Sequence, residues 1–231
     1  MRTSMRHRID QFWGEVFGGS TGAAVIVEHR DALLGYAGIY CVVRDSWVFV
    51  SAPGPMIENV RALDLDPVTA QQPDWWAERI PGWSVLGPSV HAFADEITDV
   101  SAPGVLIKAA GEDDLAELRG SVPVEEWAES GFAGDDVADA WVAVGPDGRA
   151  VAGANLTPFE GVPADVGVLS VPAVRGRGIA SAVAAVASRT AVEQHGIARW
   201  RVLVGNRASR RIAARLGFEE DCRQLAVRPP D

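Results

Sequence analysis

Cysteine is scarce in this sequence of 231 residues, and so are several other things that would point to a class of protein. Cys41 and Cys222 are too few for a disulfide framework and fall in no metal-ligand spacing, so both are expected as buried thiols and no metal site is expected. No apolar run approaches the roughly 18 residues that a spanning helix needs. The opening MRTSMRHRID is polar and basic, with no apolar stretch of signal-peptide length behind it. These absences exclude a membrane role from the reading and place the chain in the cytoplasm. Repeats, low-complexity segments and long linkers are missing too. With 48% hydrophobic residues, the chain can bury one large core or two small ones.

Positive charge is in deficit overall, but unevenly. The net charge is -10, yet from Val171 onward 11 Arg stand against 5 Asp/Glu, a balance of +6, while residues 1–170 hold 10 Lys/Arg against 26 Asp/Glu, or -16. A basic end on an acidic protein suggests an anionic ligand there. Because the arginines are interleaved with Ala, Val and Ile, a compact polyphosphate fits better than a nucleic-acid backbone. A solvated arginine-rich surface accounts for the charge equally well.

The C-terminal part punctuates clearly. Strands are expected at 105–109, 139–144, 150–157, 165–171, 199–204 and 222–228, and helices at 111–120, 122–132, 178–196 and 208–218. Pro146, Asp147 and Gly148 mark a hairpin turn. The order β-α-α-β-β-β-α-β-α-β predicts an α/β fold, with helices flanking a mixed sheet. Residues 1–103 read less cleanly: helices near 9–18 and 74–80, strands at 23–29, 38–44 and 47–53, and one or two more within 83–95. Trp13, Trp47, Trp75, Trp76 and Trp83 are expected to pack in a core. The expected division is an N-terminal α/β half, 1–103, and a C-terminal domain, 104–231.

The stretch VLSVPAVRGRGIASAVAAV, residues 168–186, passes from a strand through an Arg/Gly-rich turn into an Ala-rich helix. A helix that starts behind glycines offers unpaired N–H groups and the positive end of its dipole, which is an anion site. Gly176 and Gly178 allow close backbone approach. Ile179, Val183 and Val186 should pack one helix face on the sheet. A dinucleotide fingerprint would need glycine at Ser181, and a P-loop would need a lysine that is absent.

What remains, Arg175, Gly178 and Ala180 after a strand and a proline, resembles the pyrophosphate-binding motif of the GNAT superfamily of acyl-CoA-dependent N-acyltransferases. About thirty residues on, NRASRRIAARLGF matches that superfamily's second signature at Asn206, Ser209, Leu216, Gly217 and Phe218. The resemblance covers roughly 104–231, and the whole chain resembles a two-part actinobacterial type in which 1–103 could be a degenerate copy of the same fold.

The resemblance implies acetyl-CoA in a cleft where strands 165–171 and 199–204 splay apart. Main-chain groups of Leu169, Ser170 and Val171 would meet the pantetheine arm. Arg175, Gly176, Arg177, Gly178, Ile179 and Ala180 would cradle the diphosphate, and Asn206 and Ser209 would face the pantetheine or the phosphates. The reaction implied is attack of a primary amine, of a small molecule or peptide, on the thioester, with a base to remove the amine proton. Asp165 stands where some members carry a catalytic carboxylate, or else simply begins its strand. Glu125, Glu126 and Glu129 lie on the acceptor side, with Glu126 the leading candidate, or else form a solvated helix face. Many members place a Tyr where this chain has Ala213. His195 reads as a helix-end residue, and His91 is unassigned. The alternative is a non-catalytic acyl-CoA sensor or interaction module. No nucleic-acid partner is expected, and homodimerisation stays open.

Overall fold

The computed structural model describes residues 2–17, 24–30, 33–134, 136–159 and 162–230. The elements are α1 (Thr3–Phe17), β1 (Ala24–Glu28), β2 (Ile39–Arg44), β3 (Trp47–Ala52), α2 (Ile57–Arg61), α3 (Pro73–Arg79), β4 (Ser84–Ala94), β5 (Leu106–Ala109), α4 (Glu112–Gly120), α5 (Val124–Glu129), β6 (Asp139–Val144), β7 (Ala150–Phe159), β8 (Val162–Ser170), α6 (Ile179–His195), β9 (Ala198–Leu203), α7 (Arg207–Leu216) and β10 (Glu219–Arg228). From β5 onward this is the order that the sequence predicts. The segment 83–95 forms the single strand β4, and α2 is a short helix that the sequence pattern does not announce.

By their contacts the residues group into two compact units, Met1–Ala92 with Arg201–Asn206 and Glu220–Asp231, and Phe93–Trp200 with Arg207–Glu219. This differs from a single cut at 103/104. The physical reason is β10, whose residues Arg223–Val227 pair antiparallel with β2.

In the first unit the strands run β1-β3-β2-β10-β4. β2 and β3 form an antiparallel hairpin, Tyr40 opposite Ser51 and Arg44 opposite Trp47, while β1 lies parallel to β3. Val43, Val48, Val50, Leu225 and Val227 pack with Trp75 and Trp76, and Trp83 leans on this cluster. Trp76 donates its indole N–H to Ala70 O at 2.9 Å. Trp13 is buried as well and reaches Asp221 Oδ2 at 3.2 Å, which ties α1 to β10. Trp13 and Trp76 are therefore packing residues with their polar edges satisfied.

In the second unit β5, β6, β7 and β8 form an antiparallel meander, and β9 pairs parallel to β8 after the crossover through α6. The first unit does not repeat this sequential order. Leu118, Trp127, Phe132, Val142 and Leu169 pack α4 and α5 against the sheet. At the hairpin turn Gly148 has φ 80° and its N–H donates to Gly145 O at 3.0 Å. α6 is buried on more than the one face expected: Ile179, Ala182, Val183, Ala184, Ala185, Ala187 and Ala191 are all enclosed, and Val186 only partly. Its small side chains let neighbours approach on several sides. Among the described residues no helix is long and apolar enough to cross a membrane.

Candidate functional site

The Arg-Gly-Arg-Gly stretch forms a turn that opens α6. After β8, Pro172–Val174 make one 3-10 turn, with Val174 N–H donating to Val171 O at 3.1 Å. Gly176 has φ 78° and Gly178 φ 80°, a left-handed conformation that costs most side chains 1–2 kcal/mol. Gly178 is the residue before α6, and its carbonyl accepts from Ala182 N–H at 3.0 Å. That first intrahelical bond leaves the N–H groups of Ile179, Ala180 and Ser181 without intrahelical acceptors. No side chain caps the helix. A Cβ at Gly176 would meet nothing within 4 Å, and one at Gly178 only Arg215 Nη1 at 3.6 Å. The donors therefore converge beside open space, the arrangement an anion needs.

The β8 register decides which main-chain groups are available. Val171 N–H donates to Val151 O at 2.9 Å, and the pairing continues with Leu169 opposite Gly153. Alternation then turns the groups of Leu169 and Val171 toward β7, and those of Val168 and Ser170 away from it. Of the three residues expected to meet a pantetheine arm, Ser170 turns its main-chain groups away from β7, as Val168 does, while those of Leu169 and Val171 are taken up by the pairing. Leu169 contributes its side chain to the core instead. The recorded pairing of β8 with β9 is a single residue pair, Asp165 with Arg199.

Both candidate carboxylates are held by arginine. Arg199 grips Asp165 with two bonds, Nε to Oδ1 at 3.0 Å and Nη2 to Oδ2 at 2.6 Å, with both side chains nearly enclosed. Glu126 of α5 pairs through Oε2 with Arg175 Nη2, and Arg175 also donates from Nε and Nη2 to Ser170 O at 3.4 and 3.3 Å. The structure thus brings Arg175, Ser170 and Glu126 together. Glu125 and Glu129 are exposed on α5. Ser209 Oγ accepts the Trp200 indole N–H at 2.9 Å, and Asn206 lies in the turn before α7, its N–H on Leu203 O at 2.9 Å. Ala213 is buried, and His195 ends α6 beside Gly196, whose φ is 72°.

Asn155 escaped the sequence reading. Fully buried on β7, it donates Nδ2 to Ser130 O at 3.2 Å. A Cβ on Gly167 would lie 2.0 Å from Ser130 O and 2.4 Å from Asn155 Oδ1. Glycine here lets the end of α5 sit directly on the sheet near Asp165. Arg199 had a readable signal: RWRVLV puts a charge on an otherwise apolar strand, and such a charge needs a partner.

The acetyltransferase (GNAT) domain model matches residues 123–219, the segment from α5 to the start of β10. Over these residues the chain is similar to GNAT acetyltransferases. A GNAT-family acetyltransferase of Colwellia psychrerythraea, 12% identical, aligns over 100% of this chain and 98% of its own with a TM-score of 0.53. A GNAT-family protein of Novosphingobium aromaticivorans, 22% identical, aligns over 65% of this chain and 69% of its own at 0.46. A GCN5-related N-acetyltransferase of Kribbella flavida, 21% identical, aligns over 68% of this chain and 63% of its own, also at 0.46. None of the curated proteins compared matches the sequence. The matched segment begins within the second unit's helices and contains the whole β8–turn–α6 passage, so the match covers the features that the geometry singles out.

Proposed function

We propose that the protein is a cytoplasmic N-acetyltransferase that moves an acetyl group from acetyl-CoA to a primary amine of a small molecule or peptide by direct attack on the thioester. The observation that carries the reading is the turn: two left-handed glycines with open space over them, leading into the unpaired N–H groups of α6. Gly176, Arg177, Gly178, Ile179 and Ala180 would hold the diphosphate, Val168 and Ser170 the pantetheine arm, and Asn206 and Ser209 would add polar contacts. When bound, acetyl-CoA supplies a thioester carbonyl open to nucleophilic attack.

The chain's own share of the chemistry is to orient the amine and take its proton. A proton placed on Asp165 would have to displace Arg199 from one of its two oxygens, so Asp165 serves here to fix β8 against β9. Glu126 is partly exposed and commits only Oε2, which leaves Oε1 to accept a proton directly or through water. The acidic balance of residues 1–170 favours a cationic acceptor through steering.

Coenzyme A release is to be followed over a panel of aminoglycosides, polyamines and peptide amines. Wild type turning over one of these, with Glu126→Gln slower by about a hundred-fold, supports the reading. A second reading, an acyl-CoA sensor, is favoured by both carboxylates being paired to arginine. Binding of acetyl-CoA with no release on any amine would put it first. Failure of Gly178→Glu to weaken acetyl-CoA binding would remove the cofactor site itself.

A further inference from the structure

Four arginines of the second unit are committed to ion pairs. Arg149 pairs with Glu117, Arg175 with Glu126, Arg189 with Asp99 and Arg199 with Asp165. Others lie in the glycine turn and on α7. Arg177 lies inside the turn, and α7 carries Arg207, Arg211 and Arg215 at i, i+4 and i+8, on one face. All four are exposed, and none forms an ion pair among the described residues. Arg215 is the nearest, its Nη1 3.6 Å from where a Cβ on Gly178 would stand.

Position and charge together say what Arg215 is for. The turn and the first N–H groups of α6 offer partial charges only, suited to a diphosphate whose charge is spread over many oxygens. Arg175, the arginine of the sequence motif, spends its donors on Ser170 O and Glu126. No full positive charge inside the turn's own hydrogen-bonding pattern is therefore free except Arg177. A terminal phosphate monoester is different chemistry: it carries close to two charges near neutral pH and is best met by a guanidinium fork. Coenzyme A has such a group on its ribose, and ATP does not.

We propose that Arg215, with Arg177 one residue before Gly178, forms a subsite for the ribose 3′-phosphate of coenzyme A, and that this subsite makes the protein select coenzyme A over its dephosphorylated form. The inference rests on the cofactor reading above. Arg207 and Arg211 extend the positive face along α7 and draw the nucleotide end of the ligand toward it.

The test is titration calorimetry of the full-length protein with coenzyme A and with dephospho-coenzyme A, on wild type, Arg215→Gln and Arg177→Gln, with melting temperatures recorded to show that each variant is folded. Wild type should bind coenzyme A at least about ten-fold more tightly. Arg215→Gln should lose most of that preference by weakening coenzyme A alone, and Arg177→Gln part of it. Equal affinity of the two ligands for wild type, or a loss in Arg215→Gln that falls equally on both, overturns the subsite and leaves the cofactor reading standing. If neither ligand binds wild type at millimolar concentration, both the subsite and the cofactor reading fall.

Discussion

Asp165 and Arg199 face each other from adjacent parallel strands, with 13% and 4% of their side chains exposed. Enclosure makes such a pair a weak source of net stability, but removing one member leaves the other charged in a poor solvent, which costs 3–5 kcal/mol. Asp165→Asn should therefore lose about 3 kcal/mol in urea unfolding. A kinetic base would show itself differently, by a lost limb in the pH profile at unchanged stability. The close contact at Gly167 makes a second prediction at this scale. With Ser130 O 2.0 Å from the new carbon, Gly167→Ala must push α5 off the sheet, and should destabilise by about 3 kcal/mol by the same assay. Gly167 was not open to sequence inspection: it matters because of Asn155 and Ser130, which are 12 and 37 positions away. Asp165 was visible as a carboxylate in a useful place and Arg199 as a charge on an apolar strand, but not that the two pair across 34 positions.

At the scale of elements, the turn before α6 was legible because its demands are local. Glycine at left-handed positions, an anion-ready helix start and an apolar helix are all written in neighbouring residues. Gly178→Ala tests the conformational part alone, since the site has room for a methyl group: about 1 kcal/mol of stability should be lost, while Gly178→Glu should also abolish acyl-CoA binding. Which main-chain groups of β8 point away from β7 was not legible, because parity depends on which neighbour takes the first hydrogen bond.

His29 works at this scale too. It follows β1 and joins β3 through Ser51 Oγ at 2.7 Å and the entry to β2 through Gly38 O at 2.8 Å. Burial lowers its pKa below the ordinary 6.5, against a smaller raising effect of the Gly38 and Tyr36 carbonyls. The folded state thus holds fewer protons than the unfolded chain in the window just under pH 6.5, and its contribution to stability, complete above 6.5, is lost as pH falls through the lowered value. The urea midpoint of wild type should drop between pH 7.5 and 5.5 by more than that of His29→Gln. An equal drop in both would assign the acid sensitivity elsewhere.

At the scale of the whole molecule, strand and helix order from β5 to β10 could be read from the sequence, but the grouping of those elements could not. Hydrophobic alternation tells that 222–228 is a strand and says nothing about its neighbour, which turns out to be β2, some 180 positions earlier. The consequence reaches the idea that 104–231 folds alone. In such a fragment Leu225 and Val227, both fully buried in the intact chain, would sit on a strand stripped of residues 39–43. Exposing them forfeits about 1.5–3 kcal/mol each and presents an open strand edge that invites aggregation. Expressed separately, 104–231 should therefore be recovered largely in the insoluble fraction. Removing β10, as 104–219, should improve recovery, and co-expression of 1–103 with 104–231 should restore a soluble complex with an acyl-CoA-dependent rise in melting temperature. A soluble, monomeric 104–231 that unfolds cooperatively and binds acyl-CoA by itself would instead establish it as an independent domain, with residues 1–103 free to serve another purpose.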